Sequence, residues 1–123
     1  MRVDGPHPGE ELNEGEVTEP RQAASIVVLR DSEAGPEVLL VQRNPEQRFM
    51  GGAWVFPGGA VDAEDGDDHL AHRAAGVREV AEEAGVTIDG PDALLPYSRW
   101  ITPRQVAVRF DTHFFLTLSL IHI

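Results

Sequence analysis

The chain has no cysteine. Disulfides, thiol catalysis and zinc–thiolate centres are therefore excluded. It has no lysine either; all ten basic residues are arginine, a bias that speaks of GC-rich coding rather than of the fold. No apolar run approaches the ~20 residues that a membrane span needs. The first residues are acidic and hold no hydrophobic signal core. A cytoplasmic chain with no membrane partner is expected. Positive charge is scarce as well: 10 basic residues face 21 acidic ones, for a formal net charge of −11. That balance argues against tight binding to nucleic acid phosphates or anionic lipid.

What is present suits one domain: 123 residues, 41% of them hydrophobic. The negative charge is concentrated in residues 1–20 and in DAEDGDD (62–68), each at net −5. Residues 1–20 combine charge with Gly5, Pro6, Pro8, Gly9 and Pro20. They read as a disordered tail outside the fold. ASIVVLR (24–30) and EVLLVQR (37–43) read as two strands of a hairpin around the turn DSEAGP. NPEQRFMGGA (44–53) reads as a loop, and WVFPGGAV (54–61) as a short strand broken by Pro57-Gly58-Gly59.

A helix is predicted from an N-cap at Asp67 or Asp68 to Ala84, with Gly85 ending it. Its apolar stripe is Leu70, Ala74, Val77, Ala81 and Ala84. Strands are expected at 86–88, 95–101 and 106–117. Strands around one well-marked helix give a mixed α/β layer fold.

The helix carries REVAEEAGV (78–86), with Glu79, Glu82 and Glu83 crowded onto about one turn. Like charges at that spacing cost roughly 0.2–0.5 kcal/mol a pair. A solvated face accounts for such a cluster; so does a cation held among the carboxylates. Upstream, Gly58 and Gly59 let the backbone turn tightly and leave its polar groups open to a ligand. Magnesium prefers hard oxygen ligands, typically carboxylates together with substrate phosphate.

The stretch resembles the Nudix box, G-x5-E-x7-R-E-U-x-E-E-x-G-U, where U is aliphatic. Arg78, Glu79, Val80, Glu82, Glu83, Gly85 and Val86 occupy its fixed positions. Eighteen residues separate Gly59 from Arg78 where the motif has thirteen, so five are inserted. Asp65 is the formal counterpart of the first motif glutamate, with Glu64 and Asp62 as alternatives. LLVQRNPEQRFMGGAWVFPGG (39–59) also resembles the motif of coenzyme A diphosphatases within that family. Leu39, Leu40, Arg43, Arg48, Gly52, Phe56, Pro57, Gly58 and Gly59 are in register. Val41 and Asn44 depart from it.

The resemblance implies an α/β/α sandwich with a mixed sheet over residues 21–117. It implies Mg²⁺ (or Mn²⁺) on Glu79, Glu82 and Glu83, with Arg78 orienting the carboxylates and Glu82 as base toward water. Substrate binding falls to Arg43, Arg48, Gly58 and Gly59; arginine suits bidentate phosphate contact. The implied reaction cleaves coenzyme A or acyl-CoA into 3′,5′-ADP and a 4′-phosphopantetheine product. Hydrolysis of ADP-ribose, NADH or another nucleotide is the alternative, as is an inert nucleotide-binding fragment. The expected partner is a small nucleotide. The oligomeric state stays open, a homodimer included.

Other features have plainer readings. DAEDGDD is not a calcium loop: that loop needs glycine at position 6, and Gly66 falls at position 5. It reads as an exposed insertion. His69 and His72 read as surface residues rather than metal ligands. Trp54 and Trp100 read as core or pocket wall, and Phe110, Phe114 and Phe115 as strand packing. LSLIHI (118–123) matches what a transposon-end sequencing adapter encodes in this frame. It is expected to be a non-native tail, with the natural chain cut near Thr117 and its later strands and closing helix missing. An ordinary apolar strand end is the alternative.

Overall fold

The computed structural model describes residues 12–47, 50–67 and 70–119. Arg48, His69 and the acidic stretch 1–11 lie outside the described residues, as do residues 120–123.

The longest strand, β1 (Arg21–Ser32), has apolar residues on both faces, as a strand buried on two sides should. Ala24 and Ile26 are fully buried and join the core. The turn after β1 is closed by Ser32 Oγ donating to the Gly35 carbonyl at 2.6 Å. The expected second strand divides in two. β2 (Gly35–Val38) stays on β1. β3 (Val41–Gln42) leaves the sheet and pairs with β4 (Trp54–Val55) in a separate ribbon.

The chain then returns as β5 (Gly58–Ala60), antiparallel to β1. The helix α1 (Ala71–Ala84), β6 (Leu95–Ile101) and β7 (Phe110–Leu118) complete the fold. The sheet order is β2-β1-β7-β6, with β5 also on β1. β1 and β7 run parallel from Arg21↔Phe110 to Leu29↔Leu118, and the other pairs are antiparallel. The mixed α/β sheet is as expected. Among the described residues one α-helix covers one face, so the second helical layer of the sandwich is not seen there.

α1 packs on β1 through Ala75 and Val80, against Ala24, Ile26, Val28 and Phe115. Burying a side chain such as Ile26 or Val80 contributes roughly 1.5–3 kcal/mol. Gly76 allows the close approach: a Cβ there would lie 2.4 Å from Ile26 Cδ1. The buried stripe is Ala71, Ala75, Gly76 and Val80, rotated from the predicted one. Small residues fit the tight contact better than the larger Leu70, which is 39% exposed.

Three further expectations are corrected. The helix begins at Ala71 after Leu70, not at Asp67, because the acidic stretch folds into its own 3-10 turn, Ala63–Asp65; the alternative cap Asp68 lies outside the described residues. Residues 86–88 form no strand; they tuck Ile88 into the core instead. β7 starts at Phe110 rather than at 106, where Val106 bridges to Leu12. Residues 12–18 of the expected tail follow that segment: Asn13 N–H donates to the Gln105 carbonyl at 2.8 Å and Thr18 Oγ1 to that of Ala107 at 2.9 Å.

Candidate active site

The last turns of α1 place Arg78 at the centre of an acidic cluster. Its Nε and Nη2 donate to Asp65 Oδ1 and Oδ2 at 3.0 and 2.9 Å. Nη1 reaches Glu79 Oε1 at 3.0 Å and Glu82 Oε2 at 3.3 Å. Nη2 also meets the Ala60 carbonyl, and Asp62 and Glu64 stand 3.3 and 3.6 Å away. A planar guanidinium is the side chain that can serve so many acceptors in fixed directions. These carboxylates raise the Arg78 pKa, Asp65 first among them. The Arg78 hydrogen bond lowers that of Asp65, whose side chain is 3% exposed.

Asp65 is thus the insertion's anchor. It also accepts the Asp62 N–H at 2.8 Å, which closes the 3-10 turn. Its sequence signal was its place six residues after Gly59. Which acid Arg78 chooses depends on how the insertion folds, so spacing alone left Glu64 and Asp62 open.

The two glycines of β5 have separate duties. A Cβ on Gly58 would lie 2.2 Å from the Ala24 carbonyl oxygen, so Gly58 lets β5 lie on β1. A Cβ on Gly59 would lie 2.6 Å from Glu79 Oε1, so Gly59 makes room for that carboxylate. Glu83 lies near Glu79, the Gly58 backbone and Arg43. Desolvation and the Glu79 contacts push its carboxyl up to about 7, against the pull of Gly58 and Arg43. The residue is exposed overall, so the contact with Glu79 is the firmer cause.

Among the described residues, no three carboxylate or imidazole groups converge as a formed metal cluster. Glu79 and Glu83 are brought together, while Glu82 turns to Arg78 and its side chain is 59% exposed. The donor set still fits a hard cation. Two neighbouring carboxylates repel each other, and a divalent ion between them would relieve that repulsion.

Arg43 and Glu83 line a cavity of about 250 Å³ with Val41, Gln42, Asn44 and Gln47. The sequence-predicted residues Arg43, Gly58, Glu79 and Glu83 therefore lie around one region. Trp54 and Trp100 are not core residues, at 65% and 69% exposed. Trp54 edges a separate apolar cavity of about 420 Å³ beside Leu39, Leu40 and Val86.

The sequence profile of the NUDIX domain matches residues 19–120. The chain belongs to the Nudix family. That family's hydrolases act on phosphorus-containing anhydrides and generally need divalent metal ions. The chain is similar to Putative nudix hydrolase 7 of Caenorhabditis elegans, 28% identical over 85% of this chain and 46% of the relative. It is also similar to Uncharacterized Nudix hydrolase NudL of Citrobacter koseri, 41% identical over 75% of this chain and 46% of the relative. Among solved structures, a NUDIX hydrolase from Alicyclobacillus acidocaldarius superposes with a TM-score of 0.72 at 29% identity. That match covers 83% of this chain and 71% of the other. The chain spans about half the length, or less, of the curated relatives it matches. No helix among the described residues is long and apolar enough to cross a membrane.

Proposed function

We propose that this Nudix domain hydrolyses the diphosphate linkage of coenzyme A or an acyl derivative, releasing 3′,5′-ADP and a 4′-phosphopantetheine product. The supporting observation is the cavity shared by Arg43 and Glu83. It sets Arg43, the side chain suited to phosphate, beside Glu83, one of the carboxylates suited to a cation. The coenzyme A motif supplies the choice of substrate.

Glu79, Glu82 and Glu83 would hold Mg²⁺ (or Mn²⁺). When bound, the ion supplies Lewis-acid polarisation of phosphoryl oxygens and a lowered pKa for water. The chain's own residues do the rest. Arg78 orients Glu79 and Glu82 through its Nη1. Glu82, the exposed carboxylate, takes the proton from the attacking water. The water oxygen bonds to one phosphorus, the bridging P–O bond breaks, and the leaving phosphate oxygen keeps the electron pair. Arg43 holds the phosphate through charge-assisted hydrogen bonds, and Gly58 and Gly59 keep the backbone open beside it. The Arg48 of the motif is assigned the same work as Arg43.

The test is chromatography of products from coenzyme A, ADP-ribose, NADH and 8-oxo-dGTP with Mg²⁺. Release of 3′,5′-ADP from coenzyme A, lost in Glu82→Gln with ligand binding kept, supports the proposal. Cleavage of ADP-ribose or NADH with coenzyme A untouched overturns the substrate assignment.

A further inference from the structure

We propose that His72 and His113 form an acid-sensitive latch that holds the first turn of α1 against the sheet. The two imidazoles are stacked across the α1–β7 interface, with ring centroids 3.9 Å apart and planes tilted by 31°. Gln22 fixes the arrangement. Its Nε2 donates to Asp111 Oδ2 at 3.3 Å, which leaves Oε1 to face His72 Nε2 at 2.9 Å. His72 therefore presents Nε2–H to Gln22.

The surrounding charges leave little to stabilise two imidazolium ions. From β7, Asp111 stands 3.9 Å from His113 Nε2. From β6, Arg99 already engages both oxygens of that carboxylate, at 2.8 and 2.6 Å. From β1 the facing group is the uncharged Gln22. On α1 itself, Arg73 turns away, donating to the Leu94 carbonyl and lying over Phe115. Among the described residues, the one carboxylate beside the rings is thus matched by a guanidinium. A first proton on the stack gains little and a second meets a like charge at contact distance.

Desolvation lowers the pKa of both imidazoles, and for His72 the neighbouring His113 lowers it further. The undocked helix, with its histidines in water, binds protons more readily than the docked one. Docking is therefore at full strength above the ordinary histidine value of ~6.5 and weakens as pH falls through it.

The experiment follows the ring Cε1–H signals by NMR from pH 8 to 4.5 in the wild type, His72→Gln and His113→Gln. Amide exchange in α1 is measured alongside, corrected for its intrinsic pH dependence. The wild-type rings should titrate below ~6.5 in two steps, and removing either ring should raise the midpoint of the other. Protection of the first turn of α1 should drop between pH 7.5 and 5, because the docked rings bind protons less readily than the free ones. His72→Phe, which keeps a ring but not the charge, should lose that drop. Rings that titrate at or above ~6.5 regardless of the partner would overturn the latch. So would α1 protection unchanged between pH 7.5 and 5. The ring titrations in the two glutamine variants decide the matter even where His72→Phe does not fold.

Discussion

Adjacent glycines on β5 should separate fold from function. In Gly58→Ala the new Cβ meets backbone, 2.2 Å from the Ala24 carbonyl oxygen and 2.8 Å from Ser25 Cα. Neither atom can move unless β5 parts from β1, where Gly58 is paired with Ser25. The cost belongs at or above the top of the roughly 1–3 kcal/mol seen for overpacking. At about 4–8 °C per kcal/mol, Tm should fall by more than about 12 °C. In Gly59→Ala the Cβ meets the end of a flexible side chain, 2.6 Å from Glu79 Oε1. That carboxylate must retreat by roughly 0.8 Å to regain ordinary van der Waals contact. The loss is confined to a strained Arg78–Glu79 hydrogen bond, about 1 kcal/mol, so Tm should fall by about 4–8 °C at most. Function should suffer more: a misplacement near 1 Å can cost about 100-fold in rate. Thermal melts, Mn²⁺ titration and turnover of the two variants provide the comparison. A Gly59→Ala protein with full Mn²⁺ affinity and turnover would refute the assignment of Glu79 to the site. Equal melting of the two variants would refute the distinction between the glycines.

Other outcomes follow from the same geometry. Arg78→Lys keeps the charge but cannot hold Asp65 by a two-pronged bond while reaching Glu79 and Glu82; about 2–3 kcal/mol should be lost in urea unfolding. An unchanged urea midpoint would show that the insertion is not anchored there. Gly76→Ala gains about 1 kcal/mol in helix propensity but collides with Ile26, for a net loss of about 1 kcal/mol. Combining it with Ile26→Val, which removes the colliding methyl, should give a smaller loss than the two single losses summed, and strict additivity would exclude the contact. The Arg99 hydrogen bonds hold the Asp111 carboxyl down to about 2, well below its value in an unfolded chain. Its stabilisation is present above ~3.9 and is lost as pH falls from there toward 2. Asp111→Asn should flatten the stability profile in that window, and an identical acid slope would argue against the pair.

The sequence was most legible where local pattern and final environment agree. Gly85 ends α1 in a left-handed conformation at φ 68°, as its position after Ala84 suggests. The β-branched run of β1 is a strand, and the spacing from Arg78 to Glu83 puts its carboxylates on one flank of the helix. The misreadings come from distant partners. Nothing local to Val41 and Gln42 tells them to leave β2 for β4. Asp67 looks like a helix cap until Asp65 is drawn to Arg78, thirteen residues on. His72 has the surroundings of a surface residue in sequence. Its stacking partner is on β7, a strand brought beside β1 only by long-range parallel pairing.

That parallel pairing also sets a clock. From Arg21 to Leu29, each residue of β1 meets one on β7 about ninety positions away, as in the separation of 89 between Gln22 and Asp111. Closing a loop of that length costs about 4 kcal/mol of chain entropy before contacts repay it. The hairpin of β1 and β2 can form early, but the sheet's central seam must wait for the far strand. Folding should therefore be slow for a domain of this size. Until the seam closes, β1 presents an apolar edge to any other chain nearby, so yield on refolding should fall as protein concentration rises.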